Sequence, residues 1–144
     1  MPKVSIIITN FRHDAYLPFA VGSVLNQTLE DWELFIANDC PETDKNHYDE
    51  IDKRIKTIDA VERLGQPARI NSCIPLLSGE YTAFLDADDY WFPWKLSHQM
   101  RFDFAMSFGD CVIEYPDGRI TWNHTQAWDR EIVLREHTIT TFSS

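Results

Sequence analysis

The feature that most constrains the fold of this chain is a short run of β-branched residues near its start, Val-Ser-Ile-Ile-Ile-Thr at positions 4–9. A run of this kind, followed at once by polar residues, is typical of a strand buried on both faces of a parallel sheet. Further strand-like runs occupy residues 33–37, 54–58 and 81–85, with helical patterns between them. This alternation predicts an α/β domain with a mainly parallel sheet.

Helical spacing of apolar residues marks the segments between the predicted strands. One helix is predicted after Asp14, which is placed to cap its start, and another covers residues 67–77. Pro93, which suits the first turn of a helix, opens a third pattern that extends to Phe104. Residues 111–122 contain two strand-like segments around a Pro-Asp-Gly turn and predict a hairpin.

The 144 residues of the chain are enough for one hydrophobic core, so we expect residues 1–144 to form a single domain.

The overall charge of the chain limits its partners. Thirteen Lys and Arg against 23 Asp and Glu give a net charge of −10. This charge repels nucleic-acid backbones, so we expect no nucleic-acid partner. An anionic ligand such as a nucleoside diphosphate would require a local basic residue or a bridging cation.

The cysteines and the hydropathy pattern bear on the location of the protein. Cys40, Cys73 and Cys111 are odd in number and form no CxxC pair, which favours reduced thiols and a cytoplasmic protein. No run of about 18 apolar residues predicts a membrane span. A peripheral position at the inner face of a membrane remains compatible with the sequence.

Polar clusters follow three of the predicted strands. They are Thr-Asn-Phe-Arg at positions 9–12, Asn-Asp at 38–39 and Asp-Ala-Asp-Asp at 86–89. Ligands of open α/β sheets bind at the carboxyl ends of the strands, near the point where the strand order reverses. We therefore expect the three clusters to converge at one edge of the sheet.

Asp86 and Asp88 follow a buried strand directly, and the two-residue period of a strand turns both carboxylates to the same side. Two or three carboxylates crowded there, Asp89 included, would repel one another unless Mg²⁺ or Mn²⁺ lay between them and a phosphate. The alternative is that Asp88 or Asp89 caps the following helix or shapes a turn.

Three other residues have two interpretations each. Asp39 is either an acceptor for the N–H and hydroxyl groups of a nucleoside or an Asx-turn residue before Pro41. Phe11 either stacks on a base or belongs to the core. Arg69 either neutralises phosphate or is a solvated helix residue.

Four blocks of sequence occur together in the order and spacing of one protein family. They are VSIIITNF at residues 4–11, SVLNQT at 23–28, WELFIAND at 32–39 and SGEYTAFLDADD at 78–89. Through these blocks the chain resembles family 2 glycosyltransferases of the GT-A fold. The resemblance covers residues 2 to about 100 and fades toward the C-terminus.

The resemblance implies a GT-A fold, which is a mainly parallel, Rossmann-like sheet flanked by helices. It also implies metal-dependent transfer of a sugar, with inversion, from a nucleoside-diphosphate sugar, commonly a UDP-sugar. The implied acceptor is a glycan or a lipid-linked glycan in the synthesis of surface polysaccharides or glycolipids.

The resemblance further assigns binding roles to residues at the strand ends. The nucleotide sugar would contact Thr9, Phe11, Asp39, Arg69, Asp86 and Asp88. The cation, Mn²⁺ or Mg²⁺, would contact Asp86, Asp88 and Asp89. In this arrangement Thr9 and Phe11 lie at the base-binding turn, Asp39 holds the nucleoside, and Asp86 lies near the ribose.

The chain departs from the family pattern in three places. Asn-Asp-Cys-Pro at positions 38–41 replaces the usual Asp-Asp-Gly-Ser. Ala-Arg-Ile-Asn at positions 68–71 replaces the usual Ala-Arg-Asn, so that Arg69 lies one place early. No match is found for the acidic pair that commonly supplies the general base. The sequence therefore assigns no catalytic residue, and the acceptor-binding part is expected to be incomplete.

Two other functions are compatible with some of these features. One is a nucleotide-sugar-binding module without catalytic activity. The other is a phosphatase of the haloacid dehalogenase type, which also carries Asp-x-Asp after a hydrophobic strand. The phosphatase is disfavoured, because such enzymes usually have Gly-Thr after the motif, whereas Tyr90 and Trp91 follow the acidic run at 86–89 in this chain.

Overall fold

A computed structural model of the chain describes residues 1–42, 48–101, 107 and 109–123. Within it, Met1–His98 forms one compact unit and a second begins at Gln99. The expectation of a single domain over residues 1–144 stays a prediction.

The first unit is built on a sheet of four parallel strands in the order β3-β2-β1-β4. The strands are β1 Val4–Asn10, β2 Trp32–Asn38, β3 Ile55–Ile58 and β4 Tyr81–Asp86. All of β2 and nearly all of β1 are buried, as the unbroken apolar runs predict. The mainly parallel α/β fold is therefore confirmed.

Helices cover both faces of this sheet. Helix α2, Gln66–Cys73, packs on one face, where Cys73 joins a buried cluster with Ile7 and Ala37. Helix α1, Leu17–Leu25, lies on the other face, where its first residue and Ile36 line the same small cavity.

The predicted cap of α1 is wrong. The helix begins at Leu17 after a turn, and Tyr16 occupies the cap position without a side-chain hydrogen bond. Asp14 instead accepts a hydrogen bond of 2.8 Å from the side-chain amide of Asn10. The turn places the cap at Tyr16, two residues beyond Asp14, and the Asp14 carboxylate braces the end of β1 instead.

The remaining elements differ little from the predictions. The predicted helix over residues 67–77 is α2 followed by a single 3₁₀ turn at Ile74–Leu76. Helix α3 covers only Lys95–Gln99, and Phe104 lies outside the described residues.

The second unit contains the predicted hairpin. Strand β5, Cys111–Glu114, pairs antiparallel with β6, Ile120–Asn123, and Gly118 takes a positive φ of 81° in the turn. In the described part of the chain, none of the helices has the length and hydropathy that a membrane crossing requires. The three cysteines are free thiols, as predicted.

A buried carboxylate joins the amino ends of the strands. Glu33 on β2 is only 7% exposed, and its Oε1 accepts hydrogen bonds from the hydroxyl of Ser5 (2.7 Å) and from both the N–H (2.7 Å) and the hydroxyl (2.9 Å) of Ser78. Its Oε2 lies 3.4 Å from the ammonium of Lys56 on β3. Since Ser78 leads into β4, this one side chain connects all four strands.

The segment that enters β4 approaches β1 so closely that one position must be glycine. The N–H of Gly79 donates to Ser5 Oγ at 2.8 Å, and a Cβ on Gly79 would lie 2.4 Å from the backbone nitrogen of Ser5. No side chain fits in that space without moving β1 away from the start of β4.

We predict that Glu33→Gln destabilises the fold in a pH-dependent way. Burial acts to raise the pKa of Glu33, but the hydrogen bonds from Ser5, Ser78 and Lys56 outweigh it and lower the pKa below 4.5. A lowered pKa adds stability that is present above pH 4.5 and is lost as pH falls through the folded-state pKa. We expect a loss of about 1–3 kcal/mol at pH 7 that shrinks in acid, measured by urea unfolding.

The control for this variant is Glu80→Gln, which removes an exposed ion pair with Lys3 and should change stability by less than about 1 kcal/mol. A loss for Glu33→Gln that is the same at pH 7 and pH 3 would contradict the role of the charge.

We also predict that Gly79→Ala destabilises the protein by about 1–3 kcal/mol or more, because its methyl group would overlap the backbone of Ser5. Gly22→Ala is the matched control. Gly22 lies inside α1 with nothing within 4 Å of its Cβ position, so the change should stabilise by about 0.5–1 kcal/mol. Thermal unfolding compares the two, and similar melting temperatures would exclude the close approach.

Candidate functional site

The acidic run at the end of β4 forms a tight turn at the carboxyl edge of the sheet. The carbonyl of Asp86, the last residue of β4, accepts the N–H of Asp89 at 3.1 Å. The N–H of Ala87 donates to the carbonyl of Thr9 at 3.2 Å, which extends the pairing of β4 with β1 by one residue. The turn thus gathers Asp86, Asp88 and Asp89 beside the end of β1.

Asp86 is held by side chains from two other elements. Its register partner Thr9 donates from Oγ1 to Asp86 Oδ1 at 3.0 Å. Gln66, the first residue of α2, donates from Nε2 to the same carboxylate oxygen at 2.8 Å and to Thr9 Oγ1 at 3.0 Å. The sequence analysis missed Gln66, because no local pattern relates it to partners 20 and 57 residues away.

Asp88 has a buried oxygen that lacks a partner among the described residues. Its Oδ1 accepts no hydrogen bond from any residue described in the structure, and its Oδ2 lies 3.4 Å from Nδ1 of His13. A buried acceptor without a donor destabilises the fold unless a cation or water satisfies it. His13 was also missed, although it directly follows the polar cluster at the end of β1.

The three acids interact electrostatically. Burial, together with the negative charges of Asp88 and Asp86, raises the pKa of Asp89 to about 6. A divalent cation would relieve this repulsion and satisfy the unpartnered oxygen of Asp88. Within the described ranges, no cluster of three or more acidic, histidine or cysteine side chains is arranged to hold a metal ion. The residues therefore fit a cation that one or two carboxylates share with a phosphate ligand.

Asp39 is a buried carboxylate that organises the loop before α2. It is 4% exposed and accepts the backbone N–H groups of Leu64 at 2.9 Å and Gly65 at 2.8 Å. The Asx turn that was considered for Asp39 is made by its neighbour, because Asn38 Oδ1 accepts the N–H of Cys40 at 3.2 Å. Asp39 thus joins the end of β2 to a loop that follows β3.

Arg69 is paired with this carboxylate. It is 5% exposed, its Nε lies 3.3 Å from Asp39 Oδ1, and its Nη2 donates to the carbonyl of Glu62 at 3.1 Å. Burial acts to raise the pKa of Asp39, but the N–H donors and the Arg69 guanidinium outweigh it and lower the pKa. The guanidinium is committed to the protein, and a contact of Arg69 with phosphate stays a prediction.

Phe11 follows β1 and lies beneath two arginines. The guanidinium carbon of Arg63 lies 4.2 Å from the centre of the Phe11 ring, and that of Arg12 lies 5.2 Å from it. Arg12 has a left-handed backbone conformation, with φ of 63°. The sequence analysis missed Arg63, although it lies in the loop that follows the third strand and polar residues also follow the other strands.

These residues surround one open cleft of about 270 Å³ at the carboxyl edge of the sheet. It is lined by Thr9, Asn10, Phe11, His13, Asp39, Arg63, Gly65, Gln66, Arg69, Asp86, Ala87 and Asp88. Six predicted site residues are among them, and the predicted metal ligand Asp89 is not. The chain runs outward from β1 to β3 and then returns to place β4 on the other side of β1, so the cleft lies at the point where strand order reverses.

Comparison with known proteins identifies relatives of this chain. Residues 5–141 match the family model described as glycosyl transferase family 2. The chain is 36% identical to a putative teichuronic acid biosynthesis glycosyltransferase, TuaG, of Bacillus subtilis, over 70% of this chain and 42% of the relative. It is 32% identical to WfgD of Escherichia coli, named a UDP-Glc:α-D-GlcNAc-diphosphoundecaprenol β-1,3-glucosyltransferase, over 67% of this chain and 39% of the relative. The chain thus spans less than half the length of these curated relatives.

Solved structures share the fold. Staphylococcus aureus TarS 1–349 in complex with UDP-GlcNAc matches 69% of this chain and 30% of its own, with a TM-score of 0.59 and 20% identity. The mannosyltransferase PcManGT of Pyrobaculum calidifontis, in complex with GDP-Man and Mn²⁺, matches 93% of this chain and 46% of its own, with a TM-score of 0.61 and 13% identity. At these identities the likeness concerns the fold.

The two acids with opposite environments should respond differently to removal of their charge. We predict that Asp39→Asn destabilises by about 1–3 kcal/mol, because the loop N–H donors and the buried Arg69 guanidinium lose their anionic acceptor. Asp88→Asn should leave stability unchanged or raise it, because it removes a like charge beside Asp86 and Asp89. Urea unfolding at pH 7 without metal measures both, and equal losses would contradict the assignment.

Proposed function

The chain belongs to glycosyltransferase family 2, and we propose that it uses this cleft to transfer a sugar, with inversion, from a nucleoside-diphosphate sugar to a glycan or lipid-linked acceptor. The donor is a UDP-sugar. The observation that carries the proposal is the convergence of Thr9, Phe11, Asp39, Asp86 and Asp88 on one cleft where the strand order reverses.

The nucleoside end of the donor binds between the ends of β2 and β1. Among the described residues, Asp39 Oδ2 accepts one hydrogen bond, from Gly65, and a carboxylate oxygen can accept two, so it can take an N–H or hydroxyl of the nucleoside. Arg69 contributes by neutralising and orienting this buried carboxylate. The complexes of TarS with UDP and UDP-GlcNAc, and of PcManGT with GDP-Man, support a nucleotide-sugar ligand.

The diphosphate end binds beside the acids at the end of β4. When bound, Mn²⁺ or Mg²⁺ would neutralise the departing diphosphate as a Lewis acid. Asp88, whose Oδ1 has no partner among the described residues, would be the main ligand, and Asp86 and Asp89 would contribute negative charge beside it. Thr9 and Gln66 hold Asp86 in place, so the acid nearest the ribose does not rotate away from the cleft.

The acceptor is proposed from the relatives. The name of WfgD specifies an acceptor on diphosphoundecaprenol, and that of TuaG specifies teichuronic acid biosynthesis. By analogy, we propose that this protein extends a lipid-linked glycan in polysaccharide synthesis at the cytoplasmic face of a membrane. The general base that deprotonates the acceptor hydroxyl is not assigned to any residue.

We predict that UDP binds at least tenfold more weakly when EDTA removes Mn²⁺ and Mg²⁺, because the acids near the phosphates then repel the ligand. Calorimetric titration of the 144-residue chain with UDP, GDP and ADP, with and without Mn²⁺, measures this. Asp88→Asn should remove most of the metal-dependent gain. Equal affinity with and without metal would contradict a bridging cation and favour the turn role of these carboxylates.

We also predict that the 144-residue chain binds its donor but transfers sugar slowly. General-base catalysis is worth about 10²–10⁴-fold, and no base is assigned here. A longer chain with the length of the curated relatives should restore turnover with little change in donor affinity. Transfer by the 144-residue chain at the rate of the longer one would contradict this, whereas no transfer by either chain would favour a binding module without catalytic activity.

A further inference from the structure

The loop between β3 and α2 brings the guanidinium of Arg63 to the acidic cleft. Arg63 lines the cleft, its side chain is exposed, and it makes no ion pair with any residue in the described part of the chain. Arg69, the arginine that the sequence indicated, is buried against Asp39 instead. Arg63 is therefore the arginine of this cleft whose guanidinium is accessible to a ligand.

The position of Arg63 is set by a contact of its own side chain and by the hydrogen bonds of the two residues that follow it. Its guanidinium lies over the ring of Phe11, 4.2 Å from the ring centre, which is within the range of a cation–π contact. The next two residues, Leu64 and Gly65, donate their N–H groups to Asp39. The cation is therefore held beside the carboxylate that is proposed to bind the nucleoside.

Arg12 contacts the same ring and provides a comparison. Its guanidinium carbon is 5.2 Å from the centre of the Phe11 ring, its Nη2 lies 3.6 Å from a carboxylate oxygen of Glu42, and it does not line the cleft. The two arginines share an aromatic neighbour, but only Arg63 faces the space in which a ligand would lie.

On the basis of the proposed function, we propose that Arg63, layered on Phe11, is a nucleobase-binding residue of the donor site. A guanidinium is planar and weakly hydrated, so it stacks on an aromatic ring while its N–H groups donate to carbonyl oxygens of a base. Beside it, Asp39 accepts an N–H of the base. Together they select bases that present an N–H next to a carbonyl, as uracil and guanine do.

The sheet order favours the base over the phosphates as the partner of Arg63. The loop that carries Arg63 follows β3, which is the outermost strand on one side of the four-stranded sheet. The acids Asp86 and Asp88 follow β4, which is the outermost strand on the opposite side. A nucleotide whose diphosphate lies at the β4 acids extends its base toward β2 and β3. Arg63 then contacts the base, which is the part of the nucleotide furthest from the metal ion at the diphosphate.

The test compares Arg63→Gln and Arg63→Lys with the matched control Arg12→Gln, in binding of uridine and of UDP with Mn²⁺. Guanosine and GDP replace them if GDP binds instead. Nucleoside affinity is measured by NMR titration and nucleotide affinity by calorimetry. We expect Arg63→Gln to weaken both ligands by the same factor, about 5- to 30-fold. Arg63→Lys should lose nearly as much affinity, because an ammonium keeps the charge but cannot stack flat on the Phe11 ring. Arg12→Gln should change affinity less than about twofold.

Two results would overturn this inference while leaving the proposed function intact. One is unchanged affinity for Arg63→Gln when the unmodified chain binds UDP. The other is a loss confined to UDP that Arg63→Lys restores, because that pattern identifies a charge contact with phosphate. If the unmodified chain binds neither nucleoside nor nucleotide, the proposed function itself fails, and the inference fails with it.

Discussion

The buried carboxylate of Glu33 is the interaction on which the rest of this structure depends. A charge removed from water is tolerated only when donors surround it, and here the donors come from β1, from β3 and from the segment that enters β4. The carboxylate therefore stabilises one arrangement of four strands that are distant in sequence. Gly79 permits the close approach that the arrangement needs.

The opposite edge of the sheet uses the same chemistry for a different purpose. Asp39 accepts donors from the loop and from Arg69, so it fixes the shape of the cleft as Glu33 fixes the shape of the sheet. Among the described residues, Oδ1 of Asp88 has no partner, and Asp89 has a raised pKa. The acid at the end of β2 is thus satisfied by protein donors, whereas the acids at the end of β4 repel one another.

Much of the fold was predictable because each strand is marked by its own local run of apolar residues. The same locality explains the error at Asp14, which precedes a helical pattern and suits a cap, although a turn between it and Leu17 decides where the helix starts. The pairing of Arg69 with Asp39 likewise depends on tertiary contacts. Gln66, His13 and Arg63 enter the cleft from loops and helix ends, where the sequence carries no periodic signal.

The sequence by itself determined the class of fold, the strands and the acids that end at one edge of the sheet, because these depend on local patterns and on the parallel alignment of strands. The tertiary structure alone decided which carboxylates are satisfied and which are not. It also decided which arginine faces the cleft. These outcomes depend on distances of a few ångströms between side chains such as Asp39 and Arg69, 30 residues apart, and no spacing along the chain encodes such distances.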